Sequence, residues 1–146
     1  MTVVFDTEAL LAFAFDEPGT DVVEGWLDRV YDDEVRGCVT TVNLAEFRYV
    51  AARKTSMSRA DGHIQDLLDI GLSEHGVDSL WRAVSTIKAT YSPALGDAYA
   101  VAAASEIDGH ESAETTLLVG ADDDYDRFEA TDEFGHLLER FRDDAA

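Results

Sequence analysis

The chain has 146 residues, 46% of them hydrophobic, with 31 acidic against 11 basic side chains and a formal net charge of -20. That hydrophobic content suits one compact unit spanning 1–146 and excludes a disordered acidic tail. No apolar run approaches the roughly 20 residues of a membrane helix, the single Cys38 excludes an internal disulfide, and no signal-peptide pattern is present, so a soluble, cytoplasmic protein without a membrane partner is expected.

Val3, Val4 and Phe5 form a continuous apolar run of β-formers, as in a strand buried on both faces of a parallel sheet. The run ends on Asp6. A helix-forming segment follows at 8–15, so Asp6 falls at the carboxyl end of a strand, the edge at which open α/β sheets bind ligands. Two readings of Asp6 stand: a ligand-binding acid or, with Thr7, a cap of the first helix.

Glu17, Pro18, Gly19 and Thr20 signal a turn and a helix start. Val22, Val23, Trp26, Leu27 and Val30 then recur at helical spacing, with Trp26 expected in the core. A second strand is expected at 35–41, with Cys38 and Val39 on opposite faces and Cys38 a buried thiol. It runs into a helix at 42–53 whose apolar stripe is Leu44, Phe47, Val50 and Ala51. Glu46 lies off that stripe in the first turns. By itself it reads as a solvated residue suited to the positive helix end, yet it also brings a second carboxylate to the strand-end edge.

A helix at 58–72, a small strand at 76–78 and a helix at 79–91 carrying Leu80, Trp81, Val84 and Ile87 read as packing elements. Residues 92–96 are expected as a loop. Asp97 then opens an alanine-rich helix whose small side chains allow close approach to a sheet, and capping and metal ligation explain Asp97 equally well. The strand at 115–119, like the first, runs into carboxylates: Asp122, Asp123, Asp124 and Asp126. For the tail, a short strand near 130–131 and a helix at 134–141 are expected.

Strands alternating with helices predict an α/β fold with a doubly wound parallel sheet. In such a sheet the strand ends and the starts of the following helices share one edge, so Asp6, Glu46, Asp97 and Asp122 converge although far apart in sequence. Carboxylates about 5 Å apart repel by roughly 3 kcal/mol at an effective dielectric near 20, so the cluster calls for a divalent cation. All-oxygen ligands favour Mg²⁺ or Mn²⁺ over zinc, and a carboxylate-held metal beside a groove is the equipment of phosphodiester hydrolysis. No Ser-His-Asp or Cys-His arrangement is present.

Val3-Val4-Phe5-Asp6-Thr7, the stretch Val39 to Glu46, Leu95-Gly96-Asp97-Ala98 and the stretch Leu117 to Tyr125 together resemble the four acidic motifs of the PIN-domain nucleases. Size and motif order resemble the VapC toxins of toxin-antitoxin pairs. The resemblance implies a three-layer α/β/α sandwich with a central, mainly parallel sheet and a homodimer. It also implies Mg²⁺- or Mn²⁺-dependent endoribonuclease activity on RNA and a cognate antitoxin that blocks the site. Asp6, Glu46, Asp97 and Asp122 would be the catalytic, metal-binding acids, with Asp124 an additional metal ligand; Thr7 and Thr40 match hydroxyl positions that orient ligands or water. Gly120 stands where many members carry a hydroxyl. Arg48, Arg53, Lys54, Arg59 and Arg127 are the candidates for phosphate contact, with ordinary ion pairs as the competing reading.

Abundant Asp and Glu beside only two lysines, Lys54 and Lys88, resembles proteins of salt-adapted, haloarchaeal-like organisms. The Debye length falls to roughly 3 Å at 1 M salt, so such charge is tolerated there.

Three other readings compete. Asp122, Asp124, Asp126 and Glu133 have the spacing of a calcium-binding EF-hand loop, but Arg127 occupies the place of its glycine and a strand precedes it. Asp6-Thr7-Glu8 resembles the start of a haloacid-dehalogenase-like phosphatase, except that Glu8 replaces the second Asp. A PIN fold serving as a non-catalytic interaction protein is the third, since fold does not dictate function.

Overall fold

Val3 and Phe5 on one face and Val4 on the other are fully buried, because β1 (Thr2–Phe5) lies in the middle of the sheet in a computed structural model that describes residues 1–110 and 113–143. The expected unit 1–146 thus includes residues 111–112 and 144–146, which lie outside the described ones. Following β1 come α1 (Thr7–Ala14), α2 (Thr20–Tyr31), β2 (Arg36–Thr40), α3 (Thr41–Lys54), α4 (Met57–Ile70) and β3 (Ser73–His75). The second half contains α5 (Trp81–Tyr91), α6 (Leu95–His110), β4 (Thr115–Val119), α7 (Asp126–Glu129) and β5 (Leu138–Arg140).

All strand pairs are parallel, in the order β3-β2-β1-β4-β5. Val4 is in register with Cys38 on one side and Leu117 on the other. The period-2 alternation of strands sends Val3, Phe5, Val39 and Leu118 to one face, where α1 to α4 cover them. Val4, Cys38, Leu117 and Val119 point to the opposite face, beneath α5 and α6. The result is the expected α/β/α sandwich. Cys38 is the buried strand thiol and opposes Val39 as its position implied. Ala98, Ala100, Ala102, Ala103 and Ala104 are all buried, so α6 packs closely on the strands.

The chain moves outward from β1 to β2 to β3, then crosses back to lay β4 on the other side of β1. The reversal leaves a crevice beyond the carboxyl ends of β1 and β4, the usual ligand position in such sheets. Asp6 leaves β1 there, its N–H donating to Leu118 O at 3.2 Å.

Four local expectations are corrected. The third strand is Ser73–His75, not 76–78; it is an edge strand whose residues are exposed or half-buried, so no apolar alternation marks it. Leu95 and Gly96 belong to α6 rather than to a loop, so Asp97 lies in the helix's first turn as expected but two residues past its start. In the tail, a short 3-10 turn (Gly135–Leu137) and β5 replace the helix expected at 134–141, and residues 130–131 form a turn after α7 rather than a strand. Phe134, Leu137 and Phe141 imitate a helical stripe, but Phe134 and Leu137 join one core face and Phe141 the other. A helix cannot divide a stripe across two sides of a sheet; a strand at the sheet edge can. Finally, Trp26 is half-buried, and its indole N–H donates to Glu139 Oε2 at 2.8 Å, so the polar end of the ring draws it to the rim. Among the described residues no helix is long and apolar enough to cross a membrane.

Candidate metal centre

The crevice is an open cleft of about 210 Å³. Its floor and one side carry Asp6, Glu46, Asp97 and Asp122; Leu11, Tyr49 and Val50 form an apolar flank. Asp97, Asp122 and Asp124 each offer a carboxylate oxygen within 4.8 Å of the others. Oxygens on opposite sides of a Mg²⁺ ion stand roughly 4 Å apart, given bonds near 2.05 Å. The five acids singled out in the sequence therefore share one end of the sheet, with Asp97, Asp122 and Asp124 the tightest set.

Burial differs sharply within the group. Asp6 is 3% exposed and Asp97 8%, whereas Glu46 and Asp124 are half-buried and Asp122 is exposed. Asp6 precedes α1 but makes no side-chain cap bond to it, so the capping explanation fails. Asp6 Oδ1 and Asp97 Oδ2 are buried without a hydrogen-bond partner. Buried carboxylate oxygens are costly to leave unpaired, and a divalent cation would satisfy both. The donor set, all carboxylate, fits Mg²⁺ or Mn²⁺.

Charge in the cleft is correspondingly suppressed. Burial, followed by the charge of Asp6 and contact with Asp124, pushes the Asp97 carboxyl up from 3.8 to about 9. Asp6 is pushed up to about 7, again chiefly by burial; the adjacent Thr7 backbone opposes the rise, and the charges of Glu8 and Glu46 add to it. The buried Tyr125 hydroxyl donates to Asp97 Oδ1 at 3.2 Å. Burial and the two flanking acids hold its pKa well above 10, so it remains a donor. With one proton it can serve only one carboxylate at a time.

Glu46 is oriented by a buried relay. Thr40 caps α3, its Oγ1 accepting from Asn43 N–H at 3.0 Å and donating to Asn43 Oδ1 at 2.5 Å. The Asn43 amide donates to Thr7 Oγ1 and to Gly96 O, each at 3.1 Å. Thr7 in turn donates to Glu46 Oε1. A Cβ on Gly96 would lie 2.9 Å and 3.0 Å from the two Glu46 oxygens, so the glycine admits that carboxylate against α6.

The Gly120 departure has a structural counterpart. A Cβ there would lie 2.4 Å and 2.5 Å from the Glu8 carboxylate oxygens. Glu8 therefore fills the space a hydroxyl side chain would take, held by Arg142 Nη2 at 2.5 Å.

Asn43, Glu8, Tyr125 and Arg142 are the contributors that sequence reasoning missed. Thr40 and Asn43 at capping-box spacing were the available signal for the first. Of the proposed phosphate-binding cations, Arg48 is paired with Asp61 at 2.7 Å, Lys54 approaches Glu17 at 4.0 Å and Arg127 donates to Tyr91 O. Arg53 lies 5.0 Å from the centroid of Tyr49, the ring at the cleft's edge. The EF-hand reading fails: β4 precedes the loop, and Asp122 and Asp124 gather with Asp97 rather than with Asp126 and Glu133.

No curated protein matches the chain. The family model of the PIN domain matches residues 3–131, which include every acid of the cleft. Such domains are generally nucleases, hydrolases acting on nucleic acid with divalent metals. With that match over most of its length, and with the sheet order and acidic cleft described above, the chain belongs to the PIN domain family.

Proposed function

We propose that the chain is a Mg²⁺- or Mn²⁺-dependent endoribonuclease and the toxin of a toxin-antitoxin pair. The observation that carries the catalytic part is the pair of unpartnered, buried carboxylate oxygens, Asp6 Oδ1 and Asp97 Oδ2, in a cleft of further acids. In this reading Asp6, Glu46, Asp97, Asp122 and Asp124 hold the metal. A divalent cation held there would supply Lewis-acid polarisation of the scissile phosphate and a lower pKa for bound water. Asp122, at the exposed mouth, takes the proton of the attacking water. Thr7 and Asn43 fix the Glu46 carboxylate, and Tyr125 donates to Asp97. Arg53 supplies a cation for the RNA backbone. The motif order supports the toxin assignment, the open cleft leaves room for an antitoxin segment, and a homodimer of single-unit chains in a salt-rich cytoplasm completes the proposal.

The test is cleavage of structured RNA in molar KCl with Mg²⁺ or Mn²⁺, comparing the natural chain with Asp97→Asn. Metal-dependent cuts lost in the variant are expected. A folded, metal-binding chain that cuts none of a broad panel of RNAs would favour a non-catalytic interaction protein instead.

A further inference from the structure

Arg140 lies in β5, beyond residue 131 where the family match ends, yet its guanidinium is spent wholly on the loop that carries two acids of the cleft and on α7, which follows that loop. Nη1 donates to Gly120 O at 2.7 Å and to Asp122 O at 3.0 Å. Nη2 donates to Asp126 Oδ1 at 2.7 Å and Glu129 Oε1 at 2.6 Å, and Nε to Glu129 Oε1 at 3.1 Å. Those bonds engage all five N–H groups of an arginine, on a side chain only 16% exposed.

Such use is unusual for a surface ion pair. The two carbonyls bracket Ala121, so the two N–H groups of Nη1 fix the backbone from which Asp122 projects. Asp122 itself is exposed, and its Oδ1 accepts from Asp124 N–H at 2.9 Å; Asp124 Oδ2 accepts from Ala94 N–H at 2.8 Å. The loop backbone thus sets the direction of the Asp122 carboxylate and places Asp124, whose own carboxylate is tied to Ala94 just before α6. Lysine, with one nitrogen and three N–H groups, cannot make the two carbonyl bonds and the three carboxylate bonds together.

We infer that Arg140 is a positioning residue of the metal centre, its Nη1 on the Gly120 and Asp122 carbonyls, with Nε and Nη2 anchored on α7, holding Asp122 and Asp124 against Asp97. The inference rests on the reading of those three acids as metal ligands. It also has a signature of sign. A guanidinium acting only through its charge repels a bound cation, so its removal would tighten metal binding; a guanidinium acting through geometry orients ligands, so its removal weakens it.

The experiment is titration of the full-length chain with Mn²⁺, read by electron paramagnetic resonance of the free ion, for the natural protein, Arg140→Gln and Arg140→Lys, beside thermal melts of each. Both variants should bind Mn²⁺ about tenfold or more weakly, the range seen when residues that orient metal ligands are lost. Should Arg140→Gln fail to fold, Arg140→Lys retains the charge and carries the test. Unchanged or tighter binding in either folded variant overturns the positioning role. Absence of Mn²⁺ binding in the natural chain would instead overturn the metal reading itself.

Discussion

Replacing Asp97 by Asn should stabilise the metal-free protein at neutral pH while abolishing its response to metal. Asp97 is raised to about 9 and Asp6 to about 7, both principally by burial. For a group whose folded pKa lies above its unfolded value, the stabilising contribution is complete below the unfolded pKa and is lost as pH rises toward the folded one. For Asp97 that window runs from 3.8 to about 9. At pH 7 about three units have been crossed, or ~4 kcal/mol at 1.36 kcal/mol per unit. The Asn amide inherits the unpartnered position of Oδ2, which returns about 1–3 kcal/mol. A net gain of about 2 kcal/mol remains, roughly 4–8 °C in Tm for a chain of this size. At pH 5 about one unit has been crossed, and the gain should vanish. Melts in EDTA between pH 5 and 8, followed by circular dichroism, read the difference directly. A variant no more stable than the natural chain at pH 7, or a difference that does not grow with pH, would refute the electrostatic reasoning. With Mg²⁺ added, the order should reverse, since only the natural chain gains binding free energy.

Gly96→Ala should leave stability within about 1 kcal/mol, because alanine is favoured over glycine in a helix and the atoms displaced are the far end of the Glu46 side chain. Mn²⁺ affinity should nevertheless fall about tenfold, as read by the same titration; equal affinity would remove Glu46 from the metal centre. Asn43→Ala should cost about 2 kcal/mol, since the Thr40 hydroxyl and Gly96 carbonyl lose a buried partner. Urea unfolding would show this as a lower midpoint at an unchanged slope.

The central strands were legible because they are short apolar runs buried on two sides, and the acids because each follows such a run or opens the next helix. What escaped reading depended on contacts between distant residues. Asn43 looks like an ordinary helical polar residue until Gly96 and Thr7 are brought to it. The space at Gly120 belongs to Glu8, which the sequence separates from it by most of the chain. β5 was hidden because its neighbours Phe134, Leu137 and Phe141 have helical spacing but serve opposite faces of the sheet. Local pattern carries the elements; it does not carry the partners that fix a carboxylate's direction.

β1 has a consequence for the birth of the protein. Its hydrogen-bonding neighbour β4 is made last but one among the strands, and the residue that clamps the Asp122 loop, Arg140, comes later still. At roughly 5–20 residues per second of synthesis, about 7–27 seconds separate the translation of Asp6 from that of Arg140. Pairing across so long a stretch of chain is also intrinsically slow. A nascent chain therefore holds its acids apart until β4 has been made and paired with β1, and the Asp122 loop gains its clamp only once β5 follows.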